Sequence, residues 1–233
     1  MPPAADDRTP EDTSDPDYDV AVVDLLGALA IGELMAFERL AADAALAPTL
    51  DDKAAVADMA VAEFHHFALL RDRLSALGAD PAAAMDPFVE VLEEFHDRTT
   101  PGDWLEGLVK AYVGDGIAED FYREISAYLD EATRDLVLEV IEDTGHSSFA
   151  VEKVRAAIEA DPRVGGRLAL WGRRLVGEAL SQAQRVAAER ESLAALLIGG
   201  VDRPGADLAE VGRMFARLTD RHTLRMERLG LKA

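Results

Sequence analysis

The chain has 233 residues, of which 49% are hydrophobic, and its 45 acidic against 24 basic side chains give a formal charge of −21. That is enough apolar material for one sizeable core, while the acidity excludes an unassisted, nonspecific grip on nucleic acid, which needs clustered Lys and Arg. With no cysteine in the sequence, disulfides, thiolate metal sites and a cysteine nucleophile are excluded as well.

Residues 1–19 carry seven acids against Arg8 and contain four prolines, which predicts a disordered acidic tail. No early stretch joins a basic start to an apolar core and a small-residue cleavage site, and no charge-free run is long enough to cross a bilayer, so no membrane segment is expected. A first helix is expected over 20–45, with Pro48 and Thr49 in the turn. The second runs over 51–78 and ends on Gly78 as its C-cap. The stretch 80–100, with Pro81 and Pro87, reads as a crossover carrying a small helix over 87–96.

Pro101-Gly-Asp103 opens a third long helix to about residue 128, and a fourth follows over 130–158. Asp161-Pro162 begins a fifth that continues to about residue 197. A turn over 199–205 leads into a last helix over 206–229. Apolar residues recur at intervals of three and four and not of two, so no strand competes. Two short-loop helix pairs joined by a long crossover predict an all-α four-helix bundle with additional C-terminal helices. The division expected is a tail over 1–19, a helical domain over 20–198 and a C-terminal helix over 205–230 packed on the bundle. Alanine-rich helices leave broad faces to cover, which favours a homodimer.

Polar residues interrupt these apolar stripes at regular places. Glu33 lies on the stripe of Leu26, Leu29, Ala30, Phe37 and Leu40. Glu63 lies on that of Val56, Met59, Ala60, Phe67 and Leu70, with His66 one turn further along the same side. In the second half, Asp115 follows Leu108 and Ala111 and precedes Ala118 and Tyr122, and Asp143 interrupts Leu136, Val140 and Ala150, with His146 three residues on. A buried carboxylate without a partner is costly, so these positions call for a proton, a base or a metal.

Four acids and two histidines on inward faces match the ligand count of a carboxylate-bridged pair of iron or manganese ions. The metal set is therefore Glu33, Glu63, His66, Asp115, Asp143 and His146. Folding each helix pair back at its turn brings Glu33 level with Glu63 and Asp115 level with Asp143. Glu119, Glu142 and Glu178 stand as alternatives to the Asp ligands. His65 points away from His66, and His96 and His222 read as solvated or structural. Tyr112 and Tyr122 either line the pocket or pack between helices. The arginines 213, 217, 221, 225 and 228 form a ridge that either docks on the acidic bundle or contacts RNA, and Arg173 and Arg174 are candidates for a positive pocket mouth.

From about residue 20 to residue 197 the chain resembles the ferritin-like superfamily, and within it the MiaE-like branch related to tRNA-2-methylthio-N6-isopentenyladenosine hydroxylases. The resemblance rests on Gly32-Glu33-Leu34, Glu63-Phe-His-His66, Tyr112-Val-Gly-Asp-Gly116, Asp143-Thr-Gly-His146 and Leu170-Trp-Gly-Arg-Arg-Leu-Val-Gly-Glu178. It implies a cytoplasmic non-haem di-iron oxidase or monooxygenase holding two Fe ions, or Mn, with dioxygen as co-substrate and an external electron donor. Its implied substrate is a modified tRNA base, with a small apolar compound as the alternative. Asp115 and Asp143 depart from the Glu usual in such sites and are shorter by one methylene. The competing readings are a ferroxidase or peroxide-detoxifying protein, and a metal-free helical interaction protein.

Overall fold

Side-chain caps set four consecutive helix starts in the computed structural model, which describes residues 16–141, 146–198 and 208–232. Helix α1 spans Pro16–Asp43 and passes through a short 3-10 turn at Ala44–Leu46. Helix α2, Leu50–Ala76, begins where Thr49 accepts the Asp52 N–H at 3.1 Å. Helix α3, Pro81–Arg98, is capped by Asp80 and opens on a proline, whose missing N–H costs nothing at that position. Asp103 and Asp130 cap α4, Trp104–Ser126, and α5, Glu131–Val140, by accepting the N–H groups of Glu106 and Thr133. The remaining helices are α6, His146–Ala160; α7, Arg163–Glu189; α8, Glu191–Ile198; and α9, Leu208–Arg228.

Helix α2 stops as its glycine predicts. Gly78 takes φ +78°, its N–H reaches Ser75 O, and the next N–H, from Ala79, reaches Leu74 O. Gly230 repeats this arrangement after α9.

Among the described residues every regular element is helical, as the sequence pattern requires. Three expectations about helix extents change. The crossover is an 18-residue helix rather than a small one over 87–96, because the Asp80-Pro81 start is stronger than the break at Pro87, which removes one helical hydrogen bond. The expected fourth helix is described as two, α5 ending with Ile141 as its C-cap and α6 starting at His146. The expected fifth helix divides at Arg190, whose φ of −125° and ψ of 86° leave the helical region. This bend lets α8 lie along α1, where the Ser192 hydroxyl donates to Asp24 and Leu196 is fully buried. Of the tail expected over 1–19, residues 16–19 form the first turn of α1, and residues 1–15, the turn over 199–205 and the positions Glu142 and Asp143 lie outside the described residues.

Helices α1 and α2 pack along their length, α4 meets α5 and α6, and α3 crosses between the two pairs against α1. Helix α7 covers α4 and α3, and α9 lies on α4. The α1–α3 approach needs Gly27, since a Cβ there would stand 2.2 Å from the Ala84 carbonyl oxygen. Helix α1 with its 3-10 turn is, among the described residues, long and apolar enough to cross a membrane by length and composition, and half of that span is buried. Its apolar side chains, Leu25, Leu26, Leu29 and Ala30 among them, form bundle core.

Candidate metal centre

Two large apolar clusters fill the bundle, with a smaller third one of Ile31, Met35, Phe88 and Val91 between α1 and α3, and the core helices pass from one large cluster to the other. On α1 the buried residues of the first cluster end at Ala30, with Leu34 packed against them, and the second begins at Phe37 and Leu40. On α2, Val56, Met59 and Ala60 belong to the second cluster, and Phe67, Leu70 and Leu74 to the first. Helix α4 leaves the second cluster after Ile117 and joins the first at Phe121, while α5 leaves the first with Val140 and α6 meets the second at Phe149. Glu33, Glu63, His66 and Glu119 fall at this crossing, and Asp115 lies one turn before Glu119 on α4. The polar interruptions of the sequence thus share one layer of the bundle.

Within that layer one ligating atom from each of Glu33, Glu63 and His66 lies within 4.8 Å of the others. His66 Nδ1 is 3.4 Å from Glu33 Oε2 and 3.8 Å from Glu63 Oε2. Two donors about 2.1 Å from an ion and at right angles to one another are about 3 Å apart, so a small closing of these side chains suits one metal ion. Side-chain exposures of 16%, 13% and 18% leave the three groups within reach of an incoming ion.

The electrostatics record the crowding. Burial raises the Glu33 carboxyl to about 8, against the lowering effect of its hydrogen bond from His66 and with a further rise from Glu63. His66 is raised to about 10, chiefly by Glu33 and then by Glu63. Burial also pushes Asp115 well above the usual carboxylate range, helped by the charges of Glu63, Glu33 and Glu119, while Arg225 pulls it back. Tyr122 is raised by burial and by the Glu33 charge, which puts its phenol beside the same layer. Two carboxylates therefore flank His66, and Asp115 and Glu119 share their field, a concentration of acid groups that a cation would stabilise.

Of the six sequence-derived positions, Glu33, Glu63 and His66 are brought into one group, and Asp115 joins their electrostatic neighbourhood without entering that tight group. Asp143 lies outside the described residues. His146 opens α6, and only its backbone is described. Among the other candidates, His65 is exposed. Glu178 meets Arg98 of α3 at 3.5 Å and so ties α7 down. His222 is buried with neither ring nitrogen hydrogen-bonded among the described residues, and burial lowers its pKa. His96 is lowered to about 3 by burial and by the charges of Lys110 and Arg39.

The arginine ridge docks α9 on the bundle. Arg217 pairs with Glu124 at 2.6 Å and with Glu210 at 2.9 Å, and Arg221 pairs with Glu124 at 3.1 Å. Arg225 donates from Nη2 to Asp120 and to the Gly116 carbonyl, each at 2.6 Å. Arg173 instead donates to the Lys232 carbonyl, and Arg174 stacks on Trp171. Two polar features went unread in the sequence. One is the buried Asp52, bridged to Lys153 at 2.7 Å. The other is the buried Lys110, lowered to about 8 by burial despite its neighbour Asp43. Helical spacing placed Lys110 near an apolar stripe, which was the available signal.

Comparison with curated protein sequences gives no match. Among solved structures, the chain is similar to a protein from Synechococcus described as having aldehyde deformylating oxidase activity, with a TM-score of 0.72, 17% identity and 94% of each chain covered. At that identity the likeness carries the fold. The family model described as a ferritin-like domain of actinomycetes matches residues 16–200, most of the chain and all of the polar layer, and the chain belongs to that ferritin-like family.

Proposed function

We propose that the chain is a non-haem di-iron oxidase or monooxygenase, in which Glu33, Glu63 and His66 hold one metal ion and Asp115, Asp143 and His146 complete the set for a second. The observation that carries this reading is the convergence of Glu33, Glu63 and His66 from two helices within 4.8 Å, at a level where both apolar clusters stop. The ferritin-like family and the likeness to a solved protein with aldehyde deformylating oxidase activity support the same kind of chemistry. Iron bound there would supply the electrons that reduce dioxygen, with an external electron donor to restore them, and manganese is the alternative ion.

The chain's own residues have separable tasks in this reading. His66 presents Nδ1 to both carboxylates, and so fixes which nitrogen would ligate. Glu119, one turn beyond Asp115 and charged in the same field, offers a longer side chain where Asp115 is short. Phe67 and Leu70, 8% and 0% exposed, close one end of the layer to water, and Phe37 and Phe64 stack at 5.3 Å on its flank.

The narrower likeness to tRNA hydroxylases would make a modified tRNA base the substrate. Phosphate contacts would have to come from the α9 arginines, and Arg217, Arg221 and Arg225 are engaged by Glu124, Glu210 and Asp120. A small organic substrate is therefore the reading we favour. A homodimer, if formed, would cover the exposed Val61, Phe64 and Leu69 of α2.

Anaerobic reconstitution with ferrous iron tests the proposal. Wild-type protein is expected to bind about two irons per chain and to develop a di-iron Mössbauer signature after oxygen exposure. Glu63→Ala/His66→Ala should lose both. Folded wild-type protein without specific iron, or a double variant with unchanged iron content, would overturn the reading. Iron oxidation with no oxygen inserted into any organic compound would move it toward a ferroxidase.

A further inference from the structure

Beside the carboxylate layer a cleft of about 240 Å³ opens between α4, α6 and α9, with Tyr112, Gly116 and Glu119 on one side and Arg221, Arg225 and Arg228 on the other. Gly116 is what admits Arg225 to this place, since a Cβ at residue 116 would stand 2.0 Å from the Arg225 Nε. The guanidinium therefore lies across the α4 backbone, anchored through Nη2 to Gly116 O and Asp120. Its Nη1 has no hydrogen-bond partner among the described residues. Arg228 is exposed at the rim, and its side chain forms no ion pair among the described residues.

The cleft and the carboxylate layer share one wall. Glu119 lines the cleft, lies one turn from Asp115 and acts on the Asp115 charge, as does Arg225. A volume below the roughly 300–1,000 Å³ of pockets for drug-sized ligands selects a small molecule. Arg228, without an ion pair among the described residues, selects an anion at the rim, since a charged acceptor makes the strongest hydrogen bond to a guanidinium, and the Arg225 charge behind it adds to the attraction. Glu119 and Asp120 on the same walls repel a polyanion, whereas Tyr112 and Leu224 offer surface to a hydrocarbon body.

We infer that this cleft binds a small organic acid, its single carboxylate between Arg228 and Arg225 and its carbon chain directed past Tyr112 toward Glu119. The cleft is thereby the substrate entrance of the proposed metal centre, and in that respect alone it rests on the di-iron reading. Binding of the acid does not need the metal. Helix α9, which supplies the arginines, lies outside the residues matched by the family model.

Ligand-observed NMR on the metal-free full-length protein tests the inference with hexanoate, 1-hexanol and inorganic phosphate as probes. Hexanoate is expected to bind, hexanol to bind at least tenfold more weakly, and phosphate to fail to displace hexanoate. Arg228→Gln, a rim substitution that leaves the core untouched, should weaken hexanoate on the order of tenfold, the effect of one charge-assisted hydrogen bond, and leave hexanol unchanged. Equal binding of hexanoate and hexanol, displacement by phosphate, or an Arg228→Gln variant with wild-type affinity would each overturn it. Iron content of the same variant separates the two readings. Two irons with lost hexanoate discrimination supports both, and hexanoate discrimination by wild-type protein that takes up no iron, lost in the variant, refutes the metal centre while sparing the acid site.

Discussion

Replacing Glu33 by Gln should stabilise the metal-free protein and abolish iron binding, a combination that a purely structural Glu33 would not give. In the folded chain the carboxyl is held at about 8, against 4.5 for the free side chain, so ionising it there costs about 5 kcal/mol, of which about 3 kcal/mol is felt at pH 7. The sign follows from proton counting. Between pH 4.5 and 8 the folded state holds a proton that the unfolded state has released, so stability falls as pH rises through this window and stays low above it. His66, raised from 6.5 to about 10, contributes stability that is full below pH 6.5 and is lost as pH passes 10. Because Glu33 is its main partner, losing that partner offsets about half of the gain. The net for Glu33→Gln is about 1–2 kcal/mol of added stability at pH 7 and more at pH 8.5, but a loss of about 2 kcal/mol at pH 4.5, where the His66 contribution is full and the Glu33 gain is absent. Urea unfolding of metal-free wild type and variant at these three pH values measures it, together with iron content after reconstitution. A variant less stable than wild type at pH 8.5, or one that still takes up two irons, would show that Glu33 exists to satisfy His66, and would refute the metal argument.

Three further substitutions test the frame around the site. Lys110→Met removes an ammonium whose burial lowers it from 10.5 to about 8. Wild-type stability should accordingly rise between pH 8 and 10, where the folded state has shed the proton first. The variant should be about 1 kcal/mol more stable at pH 7 once the lost pairing with Asp43 is counted, and urea midpoints against pH decide it. Gly27→Ala places a methyl 2.2 Å from the Ala84 carbonyl oxygen, forcing α1 and α3 apart, and should lower Tm by several degrees for a cost of about 1–3 kcal/mol. Gly116→Ala should displace Arg225 from Gly116 O and Asp120, destabilising by about 1.5–3 kcal/mol, while Gly114→Ala, with open space at its Cβ, should be neutral or slightly stabilising in the same melt.

The parts of this structure legible in the sequence are those governed by neighbours in the chain. Gly78 announces its left-handed turn, and Thr49, Asp103 and Asp130 cap the helices they precede. Glu33 and the Glu63–His66 pair were legible because a single carboxylate on an otherwise apolar stripe is carried inward wherever the stripe goes. Pro87 misled, because a proline in mid-helix costs only one hydrogen bond when packing against α1 retains the rest, as Phe88 and Val91 do here. The division at Arg190 was not legible, since it depends on Asp24 and Phe88, more than a hundred residues away, which receive Ser192 and the Arg190 guanidinium.

The α9 arginines show why composition alone could not decide the partner. Spaced by four, Arg213, Arg217, Arg221 and Arg225 form one stripe, and Asp120 and Glu124, also spaced by four, form the facing stripe on α4. Either stripe read by itself suggests a binding surface for the opposite charge, and together they neutralise one another along a helix pair. Arg225 departs from this pattern because Gly116 lets it sink past the acids to the backbone, on the wall of the cleft, where its Nη1 has no hydrogen-bond partner among the described residues. A missing side chain on α4 thus decides which arginine is structural glue and which faces a ligand. That glycine belongs to the same Tyr112-Val-Gly-Asp-Gly116 run as Asp115, so one turn of helix serves the metal layer on one side and the proposed substrate entrance on the other.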